Sequence, residues 1–122
     1  MEQWLLIIAA LIAAGGAVFH GYVGGKIYLS NISASDLDPL MGSLSAVSWQ
    51  MFTVFLVVSG GSLICVAIEP EWALLAHPVL LGNGLGALLF LSLSLLGHSR
   101  LLKMPGMYLM GATALLGWLG LP

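Results

Sequence analysis

From Trp4 to Gly25 the chain carries no Asp, Glu, Lys or Arg. A helical run of about 20 apolar residues is long enough to cross a bilayer core about 30 Å thick. In that solvent the backbone has to satisfy its own polar groups within the segment, which an α-helix does and an irregular loop cannot. This one stretch therefore makes the chain a membrane protein built from helices. On one row, four residues apart, it presents Ala9, Ala13, Ala17, Gly21 and Gly25, a ladder of small side chains that lets a neighbouring helix come close. Near its far end stands His20, an ionisable group in a place where such groups are rare and often functional.

Three further apolar runs follow, and with the first they predict helices over about 4–25, 43–68, 74–97 and 105–121. The stretch from Lys26 to Asp38, with Ser30, Asn31, Ser33, Ser35, Asp36 and the Asp38-Pro39 pair, is expected to be a loop with a short interfacial piece. Glu69-Pro70-Glu71-Trp72 closes the second run, and His98 to Pro105 forms the third connection. At Pro78, near the start of the third run, either the helix begins or a preceding interfacial turn is kinked by the missing N–H, and Pro105 at the start of the fourth run suits a first helical turn. The fourth run is short, so local thinning or a change of tilt is expected around it. A cleaved secretory signal is disfavoured at the amino terminus, because Met1-Glu2-Gln3-Trp4 lacks a basic region and the apolar run is too long.

Composition agrees. Of 122 residues, 60% are hydrophobic and 7% charged, against about 25% charged in ordinary soluble domains. A net charge of −2 with three Lys and Arg excludes nucleic acid as a partner, since phosphates need a basic face. The single Cys65 can form neither an internal disulfide nor a Cys-x-x-Cys pair.

The cations set an orientation. Lys26 lies in the first connection and Arg100 and Lys103 in the third. With an even number of spans these share one side, which the positive-inside bias makes cytoplasmic, leaving both termini outside. Trp4, Trp72 and Trp118 then fall at the outer interface, where indole is favoured. The fold class expected is thus an all-α membrane protein, a four-transmembrane-helix antiparallel bundle, N-out and C-out, with short loops and one transmembrane domain over 1–122.

Packing between spans rests on small residues and interhelical hydrogen bonds, because lipid removes the hydrophobic drive. Besides the first-helix ladder, Ser59-Gly60-Gly61-Ser62, the Gly82 and Gly86 pair, and Gly111 with Gly117 offer close approaches. Asn83 lies near mid-span and needs a partner on a neighbouring helix. Met104, Met107 and Met110 recur at every third residue and read as adaptable packing rather than soft-metal ligands.

The topology brings His20, Tyr22, Trp49, Gln50, His98 and Arg100 to one membrane level, and these with Asn83 are the polar site candidates. As a function, that level would be a small polar pocket or a proton-responsive latch, histidine being the side chain that titrates near neutrality. The plainer account is that His20 and His98 sit at an interface where a neutral imidazole easily bonds a carbonyl or head group. No cofactor is expected. His20 with His98 is the one pair that a haem or metal could use, but no His-x-x-x-His or Cys-x-x-Cys spacing supports it.

Small multidrug exporters need a carboxylate in the first span, quinone-coupled disulfide enzymes need cysteine pairs, and small fluoride channels have signatures absent here. His20-x-x-x-Gly24, a polar stretch and then Ser48-Trp49-Gln50 resemble small bacterial inner-membrane proteins of unassigned activity, which implies an inner (plasma) membrane location and no particular chemistry. The expected function is a multi-pass accessory or scaffolding subunit, not an enzyme, with the lipid bilayer around it and a homo-oligomer or larger membrane complex as its setting. Two alternatives stay open. One is a small-solute transporter or channel with a path lined by Asn83, Gln50 and His20; the other is a small redox or lipid-modifying enzyme that uses the cytoplasmic-side histidines.

Overall fold

In the computed structural model, which describes residues 2–122, every regular element is helical. Helix α1 spans Gln3–Val18 and passes through a π-helical turn, Phe19–Gly24, directly into α2, Gly25–Ser33. Helix α3 spans Pro39–Ile68, α4 spans Ala76–Leu95 and α5 spans Pro105–Gly120. Short 3-10 turns, Pro70–Leu75 and Ser99–Lys103, lead into α4 and α5. Three continuous helical stretches are long and apolar enough to cross a membrane: Gln3–Ser33, Pro39–Ile68 and Pro70–Leu95. Helix α5, with 16 residues, is shorter than these.

Two expected boundaries are corrected. The first helix does not stop at 25, and the expected loop from Lys26 to Asp38 is helical as far as Ser33. The polar residues there are accommodated by back-bonding: the Ser30 hydroxyl donates to the Lys26 carbonyl, and Asn31 Nδ2 to the Ile27 carbonyl at 2.9 Å. Such i→i−4 bonds let Ser and Asn stay in a helix that their propensities argue against. The second helix starts at Pro39 rather than 43. Asp38 is its N-cap, its carboxylate accepting from the Leu40 N–H at 2.9 Å, and Pro39 fills the first helical position.

Helix α4 ends on a glycine. Gly97 has φ +115, and the His98 N–H returns to the Leu93 carbonyl at 3.0 Å. This is a Schellman closure, which needs a left-handed residue at that point.

The helices meet through the small residues. Helix α3 runs antiparallel to the first stretch: a Cβ at Gly60 would lie 3.3 Å from the Ala10 carbonyl, one at Gly21 2.8 Å from Thr53, and one at Gly24 2.9 Å from Trp49. Helix α5 runs antiparallel to α4, with Gly117 against Leu80, Gly86 against Met110 and Gly106 against Phe90. It also touches α1, where Gly120 meets Leu6 and Leu109 meets Gly16. Between α3 and α4, Phe55 covers Gly82. The most enclosed apolar cluster gathers Leu6, Ala9, Ala10, Leu63, Val66, Ala67, Ala76 and Leu80, toward the end that carries the chain termini. Outward faces stay apolar: Leu11, Val18, Val57, Leu81, Leu88 and Leu115 are all exposed. In water such a surface would invite association; against lipid tails it is at home.

Candidate functional site

The π-helical turn is where the sequence-predicted level takes shape. A wider turn of this kind is uncommon inside an α-helix and is frequent at functional positions. Here the Gly25 N–H reaches the His20 carbonyl, five residues back. That same carbonyl accepts the Trp49 indole N–H at 3.1 Å. Glycines at 21, 24 and 25 leave room for α3 to approach, with Thr53 over Gly21 and the Trp49 ring over Gly24.

Around His20 the side chains form a stack. Its imidazole lies on Trp49, with ring centroids 4.1 Å apart and planes 13° from parallel, and makes a T-shaped contact with Phe52 at a centroid separation of 4.8 Å. Tyr28 covers Trp49 at 4.2 Å and 11°. His20 Nδ1 is hydrogen-bonded to Thr53 Oγ1 at 2.9 Å. The arrangement orients one imidazole nitrogen and leaves the other for a further partner. It also staples α2 and the π turn to α3 through Tyr28, His20 and Trp49, so its immediate effect is to fix how these helices cross.

Of the sequence-predicted residues, His20 and Trp49 are brought into contact, and Gln50 borders them, its Nε2 3.7 Å from a Cβ built on Gly25. Tyr22 points away and is exposed; its hydroxyl accepts from Lys26 Nζ at 3.0 Å, and the ammonium also lies 4.2 Å from the Tyr22 ring centre. His98 and Arg100 are exposed in the third connection, and among the described residues neither makes a hydrogen bond to His20. Among the described residues no three of His, Cys, Asp and Glu are grouped as metal ligands would be.

Asn83 belongs to a different place. Fully buried on α4, its Nδ2 donates to Ser59 Oγ of α3 at 3.0 Å and to the Val79 carbonyl at 2.8 Å. Thr53, Phe52 and Tyr28 were not foreseen. A signal for two of them was there: Trp49, Phe52 and Thr53 stand at i, i+3 and i+4, one helical face, so a site placed at Trp49 extends to both.

At the opposite end His77 Nδ1–H donates to the Ala73 carbonyl at 3.1 Å and meets the Trp118 ring edge-on at 5.3 Å. Exposed Trp4, Trp72 and Trp118 gather there, while Lys26, Arg100 and Lys103 stand at the His20 end.

No family model matches this chain, and no curated protein or solved structure matches it either.

Proposed function

We propose that the protein is a four-span, multi-pass subunit of the bacterial inner membrane, both termini outside, that acts as an accessory or scaffolding element by self-association or by docking in a larger membrane complex. The observation that carries this reading is where the polar groups go. His20, Trp49 and Asn83 are engaged with Thr53, the His20 carbonyl and Ser59 across helix pairs, which is helix-fastening chemistry. What faces outward is instead suited to helix contact. Between α4 and α5 runs an open groove with a floor of Gly84, Ala87, Gly111 and Ala112 and rims of Leu88, Leu91 and Leu115. Small floors of this type let a further transmembrane helix approach closely. The orientation is supported by the three cations at one end and the exposed tryptophans at the other.

Native mass spectrometry in mild detergent, with crosslinking in intact membranes, tests the assembly. Multimers or a crosslinked partner complex are expected. A monomer alone, with no partner recovered, refutes it.

A second reading is favoured by one observation, the buried polar side chains of Ser59, Asn83 and Thr113 in mid-helix. On it the protein passes a small solute. Proteoliposome flux that falls in His20→Ala and Asn83→Leu supports this reading, and flux unchanged in both removes it.

A further inference from the structure

Helix α3 is longer than the bilayer core it would cross. Its 30 residues extend about 45 Å at 1.5 Å each, against a hydrocarbon core of about 30 Å, which about 20 residues fill. Counted back from Ile68, which borders the turn that carries Trp72, those residues end at Trp49. Counted forward from Trp4 on α1, they end near Gly24. The two counts meet, because the Trp49 ring lies over Gly24. The first turns of α3, from Pro39 to Ser48, therefore project past the core by about 15 Å, or about 12 Å at an average tilt of about 20°.

This projecting piece is not polar all round. Helix α2 covers one side of it, with Ile32 against Gly42, while Leu40, Met41, Leu44 and Val47 are exposed. Lipid tails do not reach the first three, and an open apolar face is unfavourable in water. The same row continues down the helix. Leu40, Leu44, Val47, Met51, Val54 and Val58, each between 49% and 60% exposed, stand alternately four and three residues apart. Cys65, seven residues past Val58, is part-exposed on that row.

Such a spacing, 3.5 residues on average, is that of a seam between two helices coiled left-handedly. The back of α3 keeps the same step. Its buried positions repeat by seven, Leu56 with Leu63, Ser59 with Val66 and Gly60 with Ala67, where α3 meets the rest of its own chain. The exposed row lies on the opposite side of the helix.

We infer, on the strength of the self-association proposed above, that this row is the interface with a second copy of the chain, the two α3 helices running parallel about a two-fold axis along the membrane normal. Copies inserted the same way bring the row onto itself in register, Leu44 on Leu44 and Met51 on Met51, and such a contact closes as a dimer. Charges beside a seam select a different partner or oppose self-pairing, and between Asp38 and Glu69 there is no Asp, Glu, Lys or Arg. The covering element also has to be a helix that projects past the core as far as α3 does. A second α3 meets that condition by construction.

Disulfide trapping on the full-length chain in its native membranes tests this. Copper-phenanthroline should link the unaltered protein through Cys65 into a species of twice the monomer mass. In a Cys65→Ser background, Leu44→Cys, Met51→Cys and Val58→Cys should each do the same, whereas Leu11→Cys on α1 and Leu115→Cys at the α4–α5 groove, both at exposed positions, should stay monomeric. Leu44→Glu changes a side chain exposed in the monomer and sets two like charges together at the projecting end, so native mass spectrometry should show the dimer lost. Links at Leu115→Cys with none along α3, or a dimer that survives Leu44→Glu, overturn the inference and leave self-association standing. A complex with another protein and no linked dimer overturns it and leaves docking standing, while a monomer with no partner overturns both.

Discussion

Gly120 and Gly61 make the sharpest contrast available in this protein, because the same added methyl meets opposite surroundings. A Cβ at Gly120 would lie 2.9 Å from the Leu6 backbone nitrogen and 3.0 Å from both Leu5 Cβ and Leu6 Cγ. Backbone cannot rotate aside, so α5 has to move from α1, and overpacking of this kind costs about 1–3 kcal/mol. Gly61, in the middle of α3, has nothing within 4 Å of its Cβ position, so alanine there adds only helix propensity, about 1 kcal/mol of stabilisation. At Gly120, the last residue of α5, that propensity term is small because helix ends fray. The two variants should therefore differ by about 2–4 kcal/mol. Gly86→Ala belongs between them: its obstacle is the flexible tip of Met110, which can turn away at modest expense. Unfolding by SDS in mixed micelles, followed by far-ultraviolet circular dichroism, measures all three. If Gly120→Ala unfolds at the same SDS fraction as Gly61→Ala, the α1–α5 contact described here is wrong.

Asp38→Ala should lower stability by about 0.5–2 kcal/mol through loss of the α3 N-cap, read as a shift of the same unfolding midpoint; no shift would mean that the cap bond to Leu40 is not formed in the membrane. Gly97→Ala should cost about 1–2 kcal/mol, since φ +115 is strained for any residue with a Cβ, and a thermal melt in detergent will show it. Thr53→Val preserves shape but removes the partner of His20 Nδ1; about 1 kcal/mol of stability should go with it, and the nitrogen-15 resonances of the His20 ring should move. An unaltered ring spectrum would show that this hydrogen bond is absent.

The apolar runs were legible because lipid imposes one demand on every residue of a span, and no partner is needed to read it. The segregation of Lys26, Arg100 and Lys103 from Trp4, Trp72 and Trp118 was legible for the same reason. What escaped depends on specific atoms. Ser30 and Asn31 look like loop formers until their bonds to the Lys26 and Ile27 carbonyls are seen, and the Asp38-Pro39 pair marks a helix start as readily as a turn. Tyr28 joined the His20 stack only because α2 continues past the π turn. Asn83 finds Ser59 through the register of α4 against α3, which no spacing within either segment reveals.

The shortness of α5 leads to the last prediction. At 1.5 Å per residue its 16 residues extend about 24 Å, some 6 Å less than a typical hydrocarbon core of about 30 Å. Glycines along its length seat side chains of both neighbours, Gly117 under Leu80, Gly106 under Phe90 and Gly120 against Leu6, so its depth is dictated by protein contacts and cannot adjust by sliding. On the four-span reading the surrounding lipid has to thin instead, which costs fractions of a kcal/mol per Å. Over several Å that amounts to about 1–3 kcal/mol, and it should vary with the membrane while the protein stays the same. Reconstituted into phosphatidylcholines of increasing chain length, the protein should lose thermal stability as the bilayer thickens, with Gly120→Ala, whose α5 is already loosened from α1, less sensitive than the unaltered chain. A stability that is flat from the thinnest to the thickest bilayer would mean that α5 imposes no mismatch on the lipid around it, and would refute the reasoning from its length.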